Sequence, residues 1–166
     1  MTLSIVNKPV NVRILLDNLE KTSDQSQIII QGTGESLKIS NFDAPSNHYD
    51  IVPNNATIVY NHKNNAWLIN NKKLCIKKLL ISTVNENEHI IYNDHYYQGS
   101  LCLFFVNEKI FVVNHVNIEE YVENVLHYET CISWPLENHK LFAIVIRTFA
   151  LNKCLQSHKY SNYYDI

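Results

Sequence analysis

Residues 101–129 read "LCLFFVNEKIFVVNHVNIEEYVENVLHYE", and a change of hydrophobic period inside this stretch decides the fold class. Up to Val116 the apolar, β-branched and aromatic residues come in short blocks of strand length. Asn107 and Glu108 sit between two of these blocks as the tip of a hairpin. Beyond Val116 the apolar residues recur every three or four positions, which is the spacing of a helix face.

Toward the N-terminus the strand pattern repeats. From residue 10 to 114 the runs "VNVRILL", "QIIIQ", "TIVY", "AWLIN", "LCIKKLLIS", "HIIY", "LCLFFV" and "KIFVVN" alternate with polar turns. The chain has only 3 glycines, so positive-φ turn positions fall to asparagine, and "PNNAT", "KNNAW" and "NNKK" are expected to be turns. Toward the C-terminus two helices are predicted, near 117–129 and 135–156. The fold class is α+β: a β-rich N-terminal part followed by two packed C-terminal helices. The 166 residues read as one domain, long enough to bury a core unaided.

The first helix is capped by Asn117, with Glu120 three residues on and acidic residues gathered where the helix dipole favours them. Counting about 100° per residue from Ile118 puts Val122 at about 40°, Val125 at about -20° and Leu126 at about 80°, a single apolar stripe. Glu129 falls at about 20°, inside that stripe, while Glu119, Glu120 and Glu123 point toward the opposite side. A carboxyl group held among apolar side chains resists ionisation and becomes fit to donate a proton near neutral pH. The pattern therefore singles out Glu129 as a candidate acid, although the last turn of a helix also releases side chains to water. Tyr128 and Trp134 flank it and offer flat apolar rings of the kind that stack on sugars.

The second helix opens with Pro135 in its first turn and is apolar nearly all round, so it is expected to be buried against the sheet and the first helix. Arg147 interrupts that surface and needs a partner: a first-helix carboxylate such as Glu120, or a bound substrate. Lys140 reads as a surface residue lying over apolar neighbours.

Other chemistries find little support. The charge is -2 with no block of like charges, which argues against nucleic acid as a partner. Cys75, Cys102, Cys131 and Cys154 are widely spaced and form no zinc pattern, leaving buried thiols or disulfides both open. His115, His127 and His139 lack ligand spacing, so no metal or cofactor is implied. Phosphate loops and nucleophile elbows are missing. The N-terminal "MTLSIVNKPVNVRILLDN" is unlike a signal peptide, and no run reaches the length of a membrane span.

From Tyr96 to Leu151 the sequence resembles the stage II sporulation protein D family, also called SpoIID/LytB. The family pattern runs roughly Y-x-G, then V-N-x-V-x-L-E-D-Y-L-x-G-V-V-x-x-E-M, then W-P-x-E-A-L-K-A-Q-A-x-x-A-R-T-Y-A. Tyr97 and Gly99 fit its first block; Asn114, Glu119, Tyr121, Val125 and Glu129 its second; Trp134, Pro135, Glu137, Lys140, Ala143, Arg147, Thr148 and Ala150 its third. Asn124 stands where the family has glycine, Thr130 where it has methionine and Phe142 where it has glutamine. The resemblance is strongest over 97–151, and it implies a single domain over 1–166 that matches the N-terminal part of the family's catalytic domain.

The activity implied by the resemblance is that of a lytic transglycosylase cutting peptidoglycan glycan strands, preferably denuded ones, with Glu129 as catalytic residue and Tyr128, Trp134 and Arg147 as substrate contacts. The family's amidase-enhancer label implies the alternative of a non-catalytic glycan-binding module. Implied partners are glycan strands and a cell-wall amidase or the division or sporulation machinery. The implied location is extracytoplasmic, with an export signal or anchor outside this chain.

Overall fold

The structure, a computed structural model, describes residues 10–20, 25–45, 49–74, 76–160 and 163–166. Among the described residues ten strands precede two helices: β1 (Asn11–Glu20), β2 (Gln25–Asn41), β3 (Tyr49–Asn61), β4 (Ala66–Ile69), β5 (Lys72–Leu74), β6 (Lys78–Thr83), β7 (Ile90–Tyr92), β8 (His95–Tyr97), β9 (Ser100–Val106), β10 (Lys109–Asn117), α1 (Ile118–Glu129) and α2 (Leu136–Tyr160). The α+β expectation holds, and the switch of period falls at the β10–α1 junction. The chain forms two compact units, Ile14–His115 and the helical Val116–Ile166 with the chain up to Arg13.

The β unit is a sheet in the order β1-β10-β9-β6-β2-β3-β4-β5, with β7 branching off β2 and carrying β8. Its core is sealed: Ile30, Leu37, Ile58, Trp67, Leu79, Ile81, Leu101 and Leu103 have no accessible surface. The Trp67 indole N–H donates to the Lys77 carbonyl at 3.1 Å, so even this large ring is buried with its polar atom satisfied. Tyr60 stacks on Phe105 at 4.4 Å and meets Trp67 edge-on at 4.7 Å.

The turns follow the asparagine reading in most places. Asn65, Asn70, Asn71, Asn93, Asp94, Asn107 and Glu108 all have positive φ. Asn107 and Glu108 form the two-residue tip of the β9–β10 hairpin, with Lys109 opposite Val106. "PNNAT" is the exception, because Pro53 to Thr57 lie inside β3. They run opposite a register irregularity in β2 between Gln31 and Ser36, where Asn55 and Pro53 are the successive partners. The extra residues of the bulge lie on β2, and the polar residues of "PNNAT" stay extended on the strand opposite it. The run "LCIKKLLIS" likewise divides, β5 ending at Leu74 and β6 beginning at Lys78.

In the helical unit, Asn117 caps α1 by accepting the Glu119 backbone N–H at 2.8 Å. The C-terminal tail returns to β1: the Asp165 and Ile166 N–H groups donate to the Arg13 carbonyl at 2.7 and 3.2 Å. The Asp165 carboxylate accepts from the Arg13 backbone N–H at 2.8 Å and from its guanidinium at 2.7 and 3.3 Å. Arg13 also donates to the Ser157 hydroxyl at 2.6 Å. Burial by itself would raise the Asp165 carboxyl, but the hydrogen bonds from Arg13 and Ser157 and the Arg13 charge hold it below the usual carboxylate range.

The expectation that α2 is buried nearly all round is corrected. Among its described side chains only Ile146, Ala150, Cys154 and Ser157 are buried, and by the 100° count from Ile146 they sit at about 0°, 40°, 80° and 20°, a narrow stripe. Leu141, Ile144, Val145 and Leu155 remain 63%, 58%, 54% and 71% exposed. One narrow stripe is what a single neighbouring helix can cover; an all-round apolar helix needs neighbours on several sides.

Candidate functional site

The candidate residues gather at the corner where α1 ends and α2 begins. Thr130 closes α1 in an extended conformation, its N–H bonded to the Leu126 carbonyl at 3.1 Å and its hydroxyl to the same oxygen at 2.7 Å. The linker turns back through a Trp134 N–H to Cys131 carbonyl bond of 3.0 Å, and Pro135 accepts the first hydrogen bonds of α2 from Asn138 and His139. This brings Tyr128, Glu129 and Trp134 to one end of the helix pair.

Glu129 is exposed at that end. On the stripe to which the helical count assigns it, Val122 is buried and Val125 and Leu126 are half-buried. The apolar cover thins toward the C-terminal turn, so the dry setting expected for the carboxylate is corrected to a wet one. Tyr128 is 84% exposed, touching the His127 ring edge-on at 5.2 Å. Trp134 is 41% exposed and meets Phe142 edge-on at 6.0 Å and His139 at 6.3 Å. Both rings thus present surface to solvent near the end of α1, in a form that suits stacking.

Between the helices runs an open groove of about 610 Å³ whose walls include Leu126, His127, Thr130, Ile132, His139 and Arg147. Arg147 is not aimed at open solvent: its Nε donates to Glu119 at 2.9 Å and its Nη2 to the other oxygen of the same carboxylate. That fork, rather than a bond to Glu120, is the partner the sequence demanded, because Glu119 lies on the side of α1 that meets α2. The hydrogen bond from Arg147 holds the Glu119 carboxyl below its ordinary value, and the same bond raises Arg147.

Thr130 and His139 form a pair that sequence reasoning missed. The Thr130 hydroxyl and His139 Nδ1 are 3.1 Å apart. Since the hydroxyl proton goes to Leu126, His139 supplies the proton of this bond from Nδ1. Threonine in place of the family's methionine at 130 was the available signal. Tyr121 is half-buried, and burial pushes its hydroxyl up. Among the described residues no group of three or more His, Cys, Asp or Glu is placed to hold a metal ion. Cys102 and Cys154 are buried and Cys131 is exposed, while Cys75 lies outside the described residues.

Comparison with known proteins bears on this same corner. Residues 106–166 match the family model described as stage II sporulation protein, SpoIID. The matched segment, which holds the last strand and both helices, is similar to the SpoIID family and supports an assignment to it. An uncharacterized protein of Brachyspira hyodysenteriae is 41% identical over 61 residues, covering 37% of this chain. The aligned segment spans 17% of that relative's length. No solved structure matches the chain.

Proposed function

We propose that this chain carries the catalytic corner of a peptidoglycan lytic transglycosylase, with Glu129 as acid and then base. The observation that carries the reading is the place of Glu129 within the family-matched segment, at the end of α1, with the exposed Tyr128 and Trp134 on either side of it in the chain. Glu129 donates its proton to the glycosidic oxygen as the bond from that oxygen to the muramyl C1 breaks. The sugar's own C6 hydroxyl then bonds to C1, and its proton returns to the Glu129 carboxylate. The product is a 1,6-anhydro sugar, no water is consumed, and one carboxylate does the work that ordinary glycosidases divide between two.

Because Glu129 is exposed in the free chain, the dry surroundings that favour its protonated form come from the substrate, a sugar ring stacked on Tyr128 or Trp134 and excluding water. Arg147 takes part through the groove it shares with Glu119. The substrate places the protein outside the cytoplasm, with a cell-wall amidase or the sporulation or division machinery as working partners.

The test is digestion of purified denuded glycan strands with mass analysis of the ends released. Anhydro-ended products are expected from the chain, reduced by about 100-fold or more in Glu129→Gln, the span of a general acid. Undiminished release by that variant excludes Glu129 from the chemistry.

The exposure of Glu129 favours a second reading, a non-catalytic glycan-binding module that enhances an amidase. On that reading glycan strands are retained without cleavage, Trp134→Ala weakens retention, and an added amidase is stimulated.

A further inference from the structure

The outward side of α2 carries a row that the proposed chemistry does not use. Leu141, Ile144, Thr148, Leu151 and Leu155 are spaced by three, four, three and four residues, the alternation of the two inward positions in a heptad. Counted from Ile146 on the buried stripe, they fall between about 140° and 220°, with Leu155 diametrically opposite. All five are exposed, from 37% at Leu151 to 71% at Leu155. A solvated helix face is normally polar, so a continuous apolar row here marks a contact surface.

Three observations say what kind of surface it meets. First, between Leu141 and Leu155 the row carries no charge, and Glu137, four residues before Leu141 on the same side, is already paired with Lys140. The single polar member of the row, Thr148, donates its hydroxyl to the Ile144 carbonyl of its own helix at 2.7 Å. Second, the flanking positions give copies of the chain nothing to repel. Val145 and Asn152 are uncharged, while Lys140 and Arg147 are already paired with Glu137 and Glu119. Third, each of these partly exposed side chains, with Val145, offers on the order of 100 Å² of apolar surface. That makes roughly 600 Å² per copy and roughly 1,200 Å² for a symmetric pair, the lower bound for a stable specific interface.

We propose that this row is a self-association seam, and that α2 docks through it on the same row of a second copy of the chain. A two-fold arrangement needs a surface complementary to itself, and an uncharged heptad row is one. The proposal is independent of the glycan chemistry, since it uses neither Glu129 nor the groove.

Sedimentation velocity of the intact chain over a range of concentrations tests it. A concentration-dependent dimer is expected, with dissociation at least about thirtyfold easier in Ile144→Glu and in Leu155→Glu, as for the central residues of an interface. Circular dichroism and melting of the dilute variants should match the parent, because both side chains are exposed in the single copy. A monomer at every concentration overturns the proposal, as does a dimer that both glutamate variants leave intact. Flotation with zwitterionic vesicles is the remaining arm: capture of a chain that stays monomeric in buffer would make a lipid surface the occupant and overturn the second copy.

Discussion

The β unit and the helical unit draw on similar apolar side chains and treat them in opposite ways. In the sheet, Leu79, Ile81, Leu101 and Leu103 are completely enclosed. On α2, Leu141, Ile144 and Leu155 are each more than half exposed. A sheet strand finds its neighbours among strands of the same chain. A 25-residue helix packed on a 12-residue one leaves most of its circumference open. The difference teaches that hydrophobicity read from sequence states a demand for cover, and the fold decides whether this chain supplies it.

Truncating the two kinds of leucine should expose the contrast most strongly. Leu103→Ala is expected to cost about 2–5 kcal/mol in urea unfolding, because it removes transfer energy and leaves a cavity. Leu141→Ala in dilute solution should fall within about 0.5 kcal/mol of the parent. Equal losses at the two sites would dissolve the distinction between the units.

The helical unit also holds a buried carboxylate, Asp165, clasped by Arg13. Arg13→Met should destabilise the chain by about 3 kcal/mol, as when a buried charge loses its partner. Its pH dependence has a definite sign. The folded-state value of Asp165 is depressed, so its contribution is complete above the unfolded value near pH 4 and is lost as pH falls through the folded value. Thermal melts of parent and Asp165→Asn should therefore converge in acid; a gap that persists at pH 2 would mean the carboxylate is not the stabilising group.

Smaller effects test the local signals. Asn117→Ala removes the cap from α1 and should cost about 1 kcal/mol. Glu108→Gly should stabilise the β9–β10 hairpin by up to about 1 kcal/mol, since Glu108 is held at φ 63° where a side chain is strained. Chemical denaturation reads both, and a destabilised Glu108→Gly variant would mean that side-chain contacts outweigh the strain.

Much of the candidate site was legible before any coordinates. Glu129 stood out by helical direction, Tyr128 and Trp134 by their nature, and the α1 boundary by Asn117. The choice of Glu119 over Glu120 for Arg147 was not legible, because it depends on how two helices are rotated about their axes. Neither was the Thr130–His139 bond, which joins residues nine apart across a turn. The clasp of Asp165 on Arg13 joins positions 152 apart, and no local pattern announces such a pair.

By itself the sequence determined where strands give way to helices, most of the asparagine turns and which face of α1 is apolar. These are properties of neighbours along the chain, governed by backbone sterics and side-chain period. Tertiary structure alone decided that Glu129 meets water, that Arg147 is held by Glu119 and that the apolar row of α2 lies open. Exposure depends on what the rest of the molecule brings alongside a residue, and that is a property of packing in three dimensions.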